Sequence, residues 1–408
     1  MLRNVTKYGR SPWIDGFPKA RVPSYPKYRG PASSDVVIVG GGLTGCATAY
    51  AFSAAGVKVV VLEAGRIGQG ATGASAGWLG DDPGVGLAQL EKSLGARASK
   101  RAWQAWHRAG LDFAALLRRL DIKCALDPLG AALVAVTTDQ LHRLKREQKA
   151  RVEAGFTAPL QNARAVSGDV GFAALAGMRV RDGATIDPYR AAIGLAAAAR
   201  QRGAHVFEAS PVTRISFNRK TAEVHTGQGA IKTARVVVTT GGPTALVKGL
   251  RRHFWFHHSY GALTAPVPAK IRQALGRRDA VVRDGAEPPH IVRWVDDERL
   301  LVVGADGDVP QDRLREKTIV QRTGQLMYEL SMLYPDISGI APAYGWDAAY
   351  ARTADGLPYI GPHRNYPHQL FAFGDSSHTV TGSFLASRIL LRHHLEQLEP
   401  ADEVFGFR

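Results

Sequence analysis

Residues Asp35 to Gly45 read DVVIVGGGLTG, an apolar strand that runs straight into Gly40-Gly41-Gly42-Leu43-Thr44-Gly45. The next apolar strand, Val57 to Leu62, ends in Glu63. Strand, glycines, helix, strand and terminal acid in this register define a dinucleotide-binding βαβ unit. Gly40 allows the tight turn out of the strand, Gly42 lets backbone approach a diphosphate, and Gly45 lets the helix pack close on the sheet. The diphosphate belongs at the helix N-terminus, where unpaired N–H groups carry roughly half a positive charge. Glu63 lies 18 residues past Gly45, where a carboxylate accepts hydrogen bonds from a ribose diol. An acid there disfavours a 2′-phosphate, and with it NADP.

The rest of the chain must supply a second core. At 408 residues and 45% hydrophobic it is long enough for two domains. Its two cysteines, Cys46 and Cys124, exclude a disulfide framework and a cysteine-rich metal site, and no metal is expected. No run approaches about 18 apolar residues, and MLRNVTKYGRSPW lacks the apolar core of a signal peptide. The expectation is a cytoplasmic protein with no membrane insertion. The net charge of +16 comes largely from arginines scattered along predicted helices, such as Arg97 to Arg119 and Arg313 to Arg322. That pattern reads as a solvated basic surface rather than a specific nucleic-acid site. A positive field favours anionic substrates and disfavours polyamines.

Residues 1–34, rich in proline, aromatics and basic side chains, are expected to run extended over the surface. GRIGQGATGASAGWLGDDPGVG, from Gly65 to Gly86, reads as a long flexible loop lying against a cofactor. Gln89 to Leu120 reads as one or two helices with Trp103, Trp106, Leu111, Phe113, Leu116 and Leu117 on a core face. A strand at Leu129 to Val136 and a charged helix at Asp139 to Ala154 follow. A helix beginning at Asp187-Pro188 leads into short strands at 204–207, 212–217, 222–226 and 234–240. From Ser259 to Val303, alternating strands (SYGALTAPV, HIVRWV, RLLVVGA) predict an antiparallel sheet distinct from the nucleotide-binding layer. Gln311 to Tyr334 is a predicted helix, and the chain closes with a strand at Leu370 to Phe373 and a helix from about Thr381 to Leu395.

Five motifs spread from residue 35 to residue 390 carry a resemblance. They are DVVIVGGGLTG; VVVLEAGRIGQGATGASAG; ARVVVTTGG at 234–242; TADGLPYIG at 353–361; and FAFGDSSHTVTGSFLASRIL at 371–390. Together they resemble the D-amino-acid-oxidase-like family of FAD-dependent oxidoreductases. The resemblance implies an α/β fold: a Rossmann-like FAD-binding domain interleaved with an α+β substrate domain built on an antiparallel sheet. It divides the chain into an N-terminal segment (1–34), an FAD-binding domain (35–80, 183–245 and 346–408) and a substrate domain (81–182 and 246–345). By this similarity Gly40, Gly42 and Gly45 hold the diphosphate, Glu63 and Ala64 meet the adenosine ribose, and Thr72, Gly73 and Ser75 line the ribityl and ring region. Val212 contacts the adenine side through its backbone, and Gly241 closes against the nucleotide. Gly374, Asp375, His378, Thr379 and Thr381, around the following helix N-terminus, face the flavin pyrimidine ring. A helix N-terminus there would stabilise the negative charge that develops near flavin N1 on reduction. His378 stands in the family's Ser-Gly-His-Gly element, here Ser376-Ser377-His378-Thr379. Catalytic and turn-capping roles for it both remain open.

The implied reaction moves the α-carbon hydrogen of an amine or amino acid to flavin N5, giving an imine that hydrolyses. The cofactor performs the redox step, so few catalytic side chains are expected. Aligning TADGLP places Tyr350 where the sarcosine-oxidase branch has a substrate-contacting tyrosine and the glycine-oxidase branch a carboxylate-binding arginine. The same alignment puts Ala348 at the flavin-linking cysteine, which implies non-covalent FAD. Thr381 replaces a lysine that pairs with the substrate carboxylate, and Val302 aligns with the lysine that promotes reaction with oxygen. A carboxylate-bearing substrate then needs another cation, and Arg293 in HIVRWV is the candidate, with an outward-facing Arg293 as the competing reading. Tyr260, Trp294, Trp346 and Arg352 are further pocket candidates. RRHFWFHH at 251–258 reads as an interdomain segment, since no carboxylate or cysteine completes a metal set. The electron acceptor is oxygen or another acceptor, so an oxidase and a dehydrogenase serving a quinone or electron-transfer protein both stand, as does a flavin-binding subunit without turnover.

Overall fold

The computed structural model describes residues 5–30, 32–374 and 380–408. The expected βαβ unit forms: strand Ala32–Val39, helix Leu43–Ala54 and strand Val59–Leu62, with the two strands parallel and in register Val36↔Val59 to Val39↔Leu62. Val36, Val37, Ile38 and Val59 to Leu62 are all buried, as a parallel sheet covered on both faces requires. His205–Phe207 extends this sheet on one side and Gly229–Gly241 on the other, both parallel. Tyr366–Phe373 joins the far half of Gly229–Gly241, again in parallel. The nucleotide sheet is thus assembled from segments far apart in sequence, and all its parallel strands point their C-terminal ends at one crevice.

A second sheet of nine strands faces it, in the order 7–8, 342–352, 255–264, 299–308, 291–295, 280–284, 130–135, 176–180, 160–162. Its pairings are antiparallel except two, Lys7–Tyr8 with Pro342–Arg352 and Ala280–Asp284 with Gly130–Ala135. Side chains alternate between its faces. Leu263, Ile291, Leu301, Val303 and Trp346 join the core shared with the nucleotide-binding layer. Tyr260, Ala262, Val292 and Val302 pack the other way, against helix Arg315–Leu333 through Ile319 and Leu326.

Several expectations need correction. Residues 5–30 do not simply skim the surface: Trp13, Tyr25 and Tyr28 are buried, because large aromatics bury more area than an extended segment can leave in water. Leu111 is 45% exposed; Phe113 beside it takes the core-facing position on helix Ala96–Arg119. The predicted flexible loop after Glu63 instead contains a helical turn, Ala71–Ala74, and a strand, Trp78–Leu79, and much of it is buried. Val302, aligned with the lysine that promotes reaction with oxygen, lies on the sheet face turned away from the nucleotide-binding layer. Tyr260 and Trp294 share that outer face.

Candidate active site

The crevice is built from the glycine turn upward. Gly40 has φ +108°, and a Cβ there would lie 2.8 Å from the Thr239 carbonyl oxygen. A Cβ on Gly45 would lie 2.0 Å from the Gly40 oxygen, so this helix–strand approach admits no side chain. Gly42 precedes helix Leu43–Ala54 without a capping side chain of its own, and Thr72 Oγ1 accepts from the Leu43 N–H at 2.8 Å. That hydroxyl stands in for the anionic oxygen that a helix N-terminus favours. Glu63 accepts from Gly41 N at 2.6 Å and from Gly65 N at 2.7 Å, holding a carboxylate at the mouth of the turn. Ala209 and Ser210 donate to the Gly65 and Glu63 carbonyls, which brings the chain leading to Val212 alongside. Ala64 is exposed at the same corner. Gly374 N donates to Gly241 O at 3.1 Å, so these two glycines meet at the ends of their parallel strands. These residues fit a dinucleotide: a helix N-terminus opened by a residue without a side chain, side-chain-free walls and a carboxylate at the strand end.

The segment following Thr72 is fixed quite differently, by donors from remote parts of the chain. Trp346 Nε1 donates to Ala74 O, and Trp13 Nε1 to Ser75 O, each at 2.9 Å. Arg293 Nε donates to Ala76 O at 2.8 Å, and Ile186 N to Gly77 O at 2.8 Å. Val380 N donates to Trp78 O at 2.9 Å, and Thr381 Oγ1 to Gly80 O at 2.8 Å. Buried carbonyls need partners, and here the partners come from the N-terminal segment, the second sheet and the C-terminal helix. Gly73 is buried beside Ile14, and Ser75 Oγ accepts from Gly77 N at 3.1 Å.

Arg293 therefore does not face solvent, and among the described residues it pairs with no acid. Its guanidinium reaches Ala76 O and, through Nη2, Ile186 O at 3.1 Å, and stacks 5.0 Å from the Trp13 ring centroid. Burial lowers its pKa to about 10. Tyr350 lies on the strand Pro342–Arg352 that also carries Trp346, and its hydroxyl donates to the Asp306 carboxylate. The Tyr350 ring is 6.0 Å from that of His257, its partner across the ladder. Three residues on, Thr353 Cγ2 would lie 2.9 Å from a Cβ on Gly374, which sets this strand end against the glycine crevice. Asp306 went unnoticed in the sequence because a bulge between His258 and Tyr260 interrupts the strand alternation that would have predicted its direction. Asp375, His378 and Thr379 lie outside the described residues. Thr381 begins helix Thr381–Leu395, whose N-terminus has no side-chain cap. Arg352 is exposed.

Two further carboxylates had no sequence signal beyond their identity. Glu208 is buried and accepts from Ile67 N at 2.8 Å and Tyr25 N at 3.4 Å, tying the ribose corner to the N-terminal segment. Asp81 directly follows Gly80. Burial, aided by neighbouring Asp82, raises its pKa to about 7.

The fold and the glycine-lined crevice define an FAD-dependent oxidoreductase. The chain belongs to the DAO family of FAD-dependent oxidoreductases, which matches residues 35–392. Gamma-glutamylputrescine oxidoreductase of Escherichia coli (strain K12) is 29% identical over 379 residues, 90% of this chain and 85% of that protein. Glycine oxidase of Bacillus licheniformis is 26% identical over 376 residues, covering 87% and 93%. The crystal structure of glycine oxidase from Geobacillus kaustophilus superposes with a TM-score of 0.74 at 20% identity, covering 92% of this chain and 99% of that one. L-amino acid deaminase from Proteus myxofaciens has a TM-score of 0.76 at 16% identity, covering 95% and 96%. At such identities the structural likeness speaks for the fold alone. Among the described residues no helix is long and apolar enough to cross a membrane.

Proposed function

We propose that this enzyme oxidises the C–N bond of a small amine or amino acid. FAD, held by the glycine turn and Glu63, would supply the two-electron acceptor for the hydride on the carbon bearing nitrogen, the nitrogen's proton passing to solvent as the C=N bond forms. Water then adds to the imine and releases a carbonyl compound and an amine or ammonia. Gly40, Gly42 and Gly45 keep side chains out of the path of a diphosphate at the helix N-terminus, and Glu63 accepts from the ribose. The crossing 74–80, anchored by Trp13, Arg293 and Trp346, gives the reacting carbon a rigid wall and excludes water. Tyr350 orients substrate through a hydroxyl held by Asp306. Ala348 offers no thiol, so FAD is held without a covalent bond. The domain division at 80/81, 182/183, 245/246 and 345/346 belongs to the same reading.

The observation that carries this proposal is the Tyr350–Asp306 pair on the strand that ends against Gly374. The acceptor reading follows from strand Arg299–Asp308, whose residues facing the nucleotide-binding layer include Leu301 and Val303. Neither is a lysine, which favours an acceptor other than oxygen, such as a quinone or an electron-transfer protein. The test is an anaerobic titration of the yellow holoenzyme with a panel of primary and secondary amines and amino acids, followed by air. Bleaching of the visible flavin band by one class supports the proposal, and slow recovery in air supports the dehydrogenase reading. A band that no member of the panel bleaches would overturn the C–N chemistry.

A further inference from the structure

RRHFWFHH at 251–258 joins the nucleotide-binding layer to the second sheet and carries charge that the proposed reaction does not use. Phe254 packs edge-on against Tyr359 and Phe373, and Trp255–Thr264 then enters the second sheet. Arg252 and His253, just ahead of Phe254, line an open cavity of about 290 Å³ together with His363, Arg364, Phe407 and Arg408. No acid lines it.

The cations of this cavity are not equivalent. Arg408 is already neutralised: Nε and Nη2 donate to the Asp355 carboxylate, Nη1 donates to the Val404 and Gly406 carbonyls at 3.0 Å, and the guanidinium lies over the Tyr359 ring. Arg252 and Arg364 have no such counterpart. Among the described residues neither pairs with a carboxylate, and Arg252 only donates from Nε to His253 Nε2 at 3.4 Å.

The two imidazoles add donors. His363 Nδ1 accepts from Asn365 N at 3.2 Å, and His253 Nε2 accepts from Arg252. In the neutral rings the proton therefore sits on His363 Nε2 and on His253 Nδ1, and neither N–H has a partner among the described residues. The rings lie 5.9 Å apart, and Phe407 meets both edge-on. Burial, aided by neighbouring arginines, holds both histidines below their ordinary pKa, so the positive charge of the cavity comes from its guanidiniums.

Two guanidiniums without an acid and two imidazole N–H groups without an acceptor meet at one cavity. A planar carboxylate is satisfied by a single guanidinium fork. The oxygens of a phosphate accept from several directions, and a phosphate ester carries close to two charges at pH 7.

We propose that this cavity binds the phosphate group of a small molecule, at a place apart from the dinucleotide crevice. His363 pairs with Tyr366 at the start of strand Tyr366–Phe373, whereas the crevice lies beyond the other end of that strand, at Gly374. On the crevice side the Phe254 ring packs against Gly374, 3.1 Å from where a Cβ would lie. The anion is therefore not the molecule that is oxidised, and the inference stands independently of the C–N reading.

A net charge of +16 attracts every anion diffusely, so the test must separate the cavity from the general field. Calorimetry on the holoenzyme, whose adenosine pocket is filled by FAD, uses inorganic phosphate and adenosine 5′-monophosphate as probes. Arg252→Gln/Arg364→Gln should weaken binding at least ~10-fold with flavin content unchanged, since both side chains are exposed. Arg118→Gln/Arg119→Gln removes the same charge from the exposed end of helix Ala96–Arg119 and should bind as the wild type does. Tighter binding of the nucleotide identifies an organic phosphate as the ligand, and equal or weaker binding of it identifies the inorganic ion; either upholds the site. No binding to wild type, binding that survives Arg252→Gln/Arg364→Gln, or an equal loss in the Arg118→Gln/Arg119→Gln variant overturns the inference.

Discussion

Two stretches of the same wall, the glycine turn at 40–45 and the crossing at 74–80, are built by opposite means. The turn is largely a local solution: strand, tight turn and helix N-terminus follow one another and Gly45 packs on the Gly40 oxygen, although Gly40 also abuts Thr239 on the neighbouring strand. The crossing is a distributed one. Its carbonyls at Ala74, Ser75 and Ala76 depend on Trp346, Trp13 and Arg293, residues 272, 62 and 217 positions away. Local sequence can specify a turn of this kind, whereas the crossing is specified only when the whole chain has folded around it. That division suits a family in which the cofactor stays constant and the substrate changes.

The difference can be broken from either side. The largest effect is expected at the turn. Gly45→Val would force a side chain into the Gly40 carbonyl at a 2.0 Å approach, and the account predicts flavin-free or insoluble protein, read from the visible-to-ultraviolet absorbance ratio. Next comes Arg293→Met, which keeps the bulk and removes both donors. Two buried carbonyls, Ala76 and Ile186, lose their partner, for a loss of about 2–6 kcal/mol in urea unfolding. A loss below about 1 kcal/mol would mean that water replaces the guanidinium and that the crossing does not depend on it. Tyr350→Phe should leave flavin content unchanged and slow flavin reduction by about 10- to 100-fold, because orientation rather than cofactor binding is removed. An unchanged rate would shift the substrate away from this strand. Trp13→Phe is the mildest: the ring still lies under Arg293, one hydrogen bond to Ser75 O is lost, and stability should fall by about 1 kcal/mol.

The same contrast explains what could be read in advance. The βαβ unit formed within two or three residues of its predicted bounds, and strands 212–217 and 222–226 and helix Thr381–Leu395 matched theirs, because apolar period and turn residues are local signals. The second sheet was legible as a sheet from its alternation. Which face each residue takes was not: Val302 packs on the outer face, while Leu301 and Val303 join the shared core. Arg293 was expected either to meet a substrate carboxylate or to face solvent, and it is instead buried against backbone carbonyls. Its partners could not be guessed, because backbone carbonyls at 76 and 186 have no sequence signature. Asp81 was hidden for the complementary reason. An aspartate between Gly80 and Asp82, just ahead of Pro83, reads as a turn residue, and only the fold closes its Oδ1 off from solvent.

The most direct measurement sets FAD affinity against flavin reduction in the Arg293→Met holoenzyme, using the amine that best bleaches the wild type. If the turn binds the cofactor and the crossing shapes the chemistry, the FAD dissociation constant should change by less than about threefold while reduction slows by at least about tenfold. A collapse of FAD affinity with an unaltered reduction rate in the bound fraction would contradict that division.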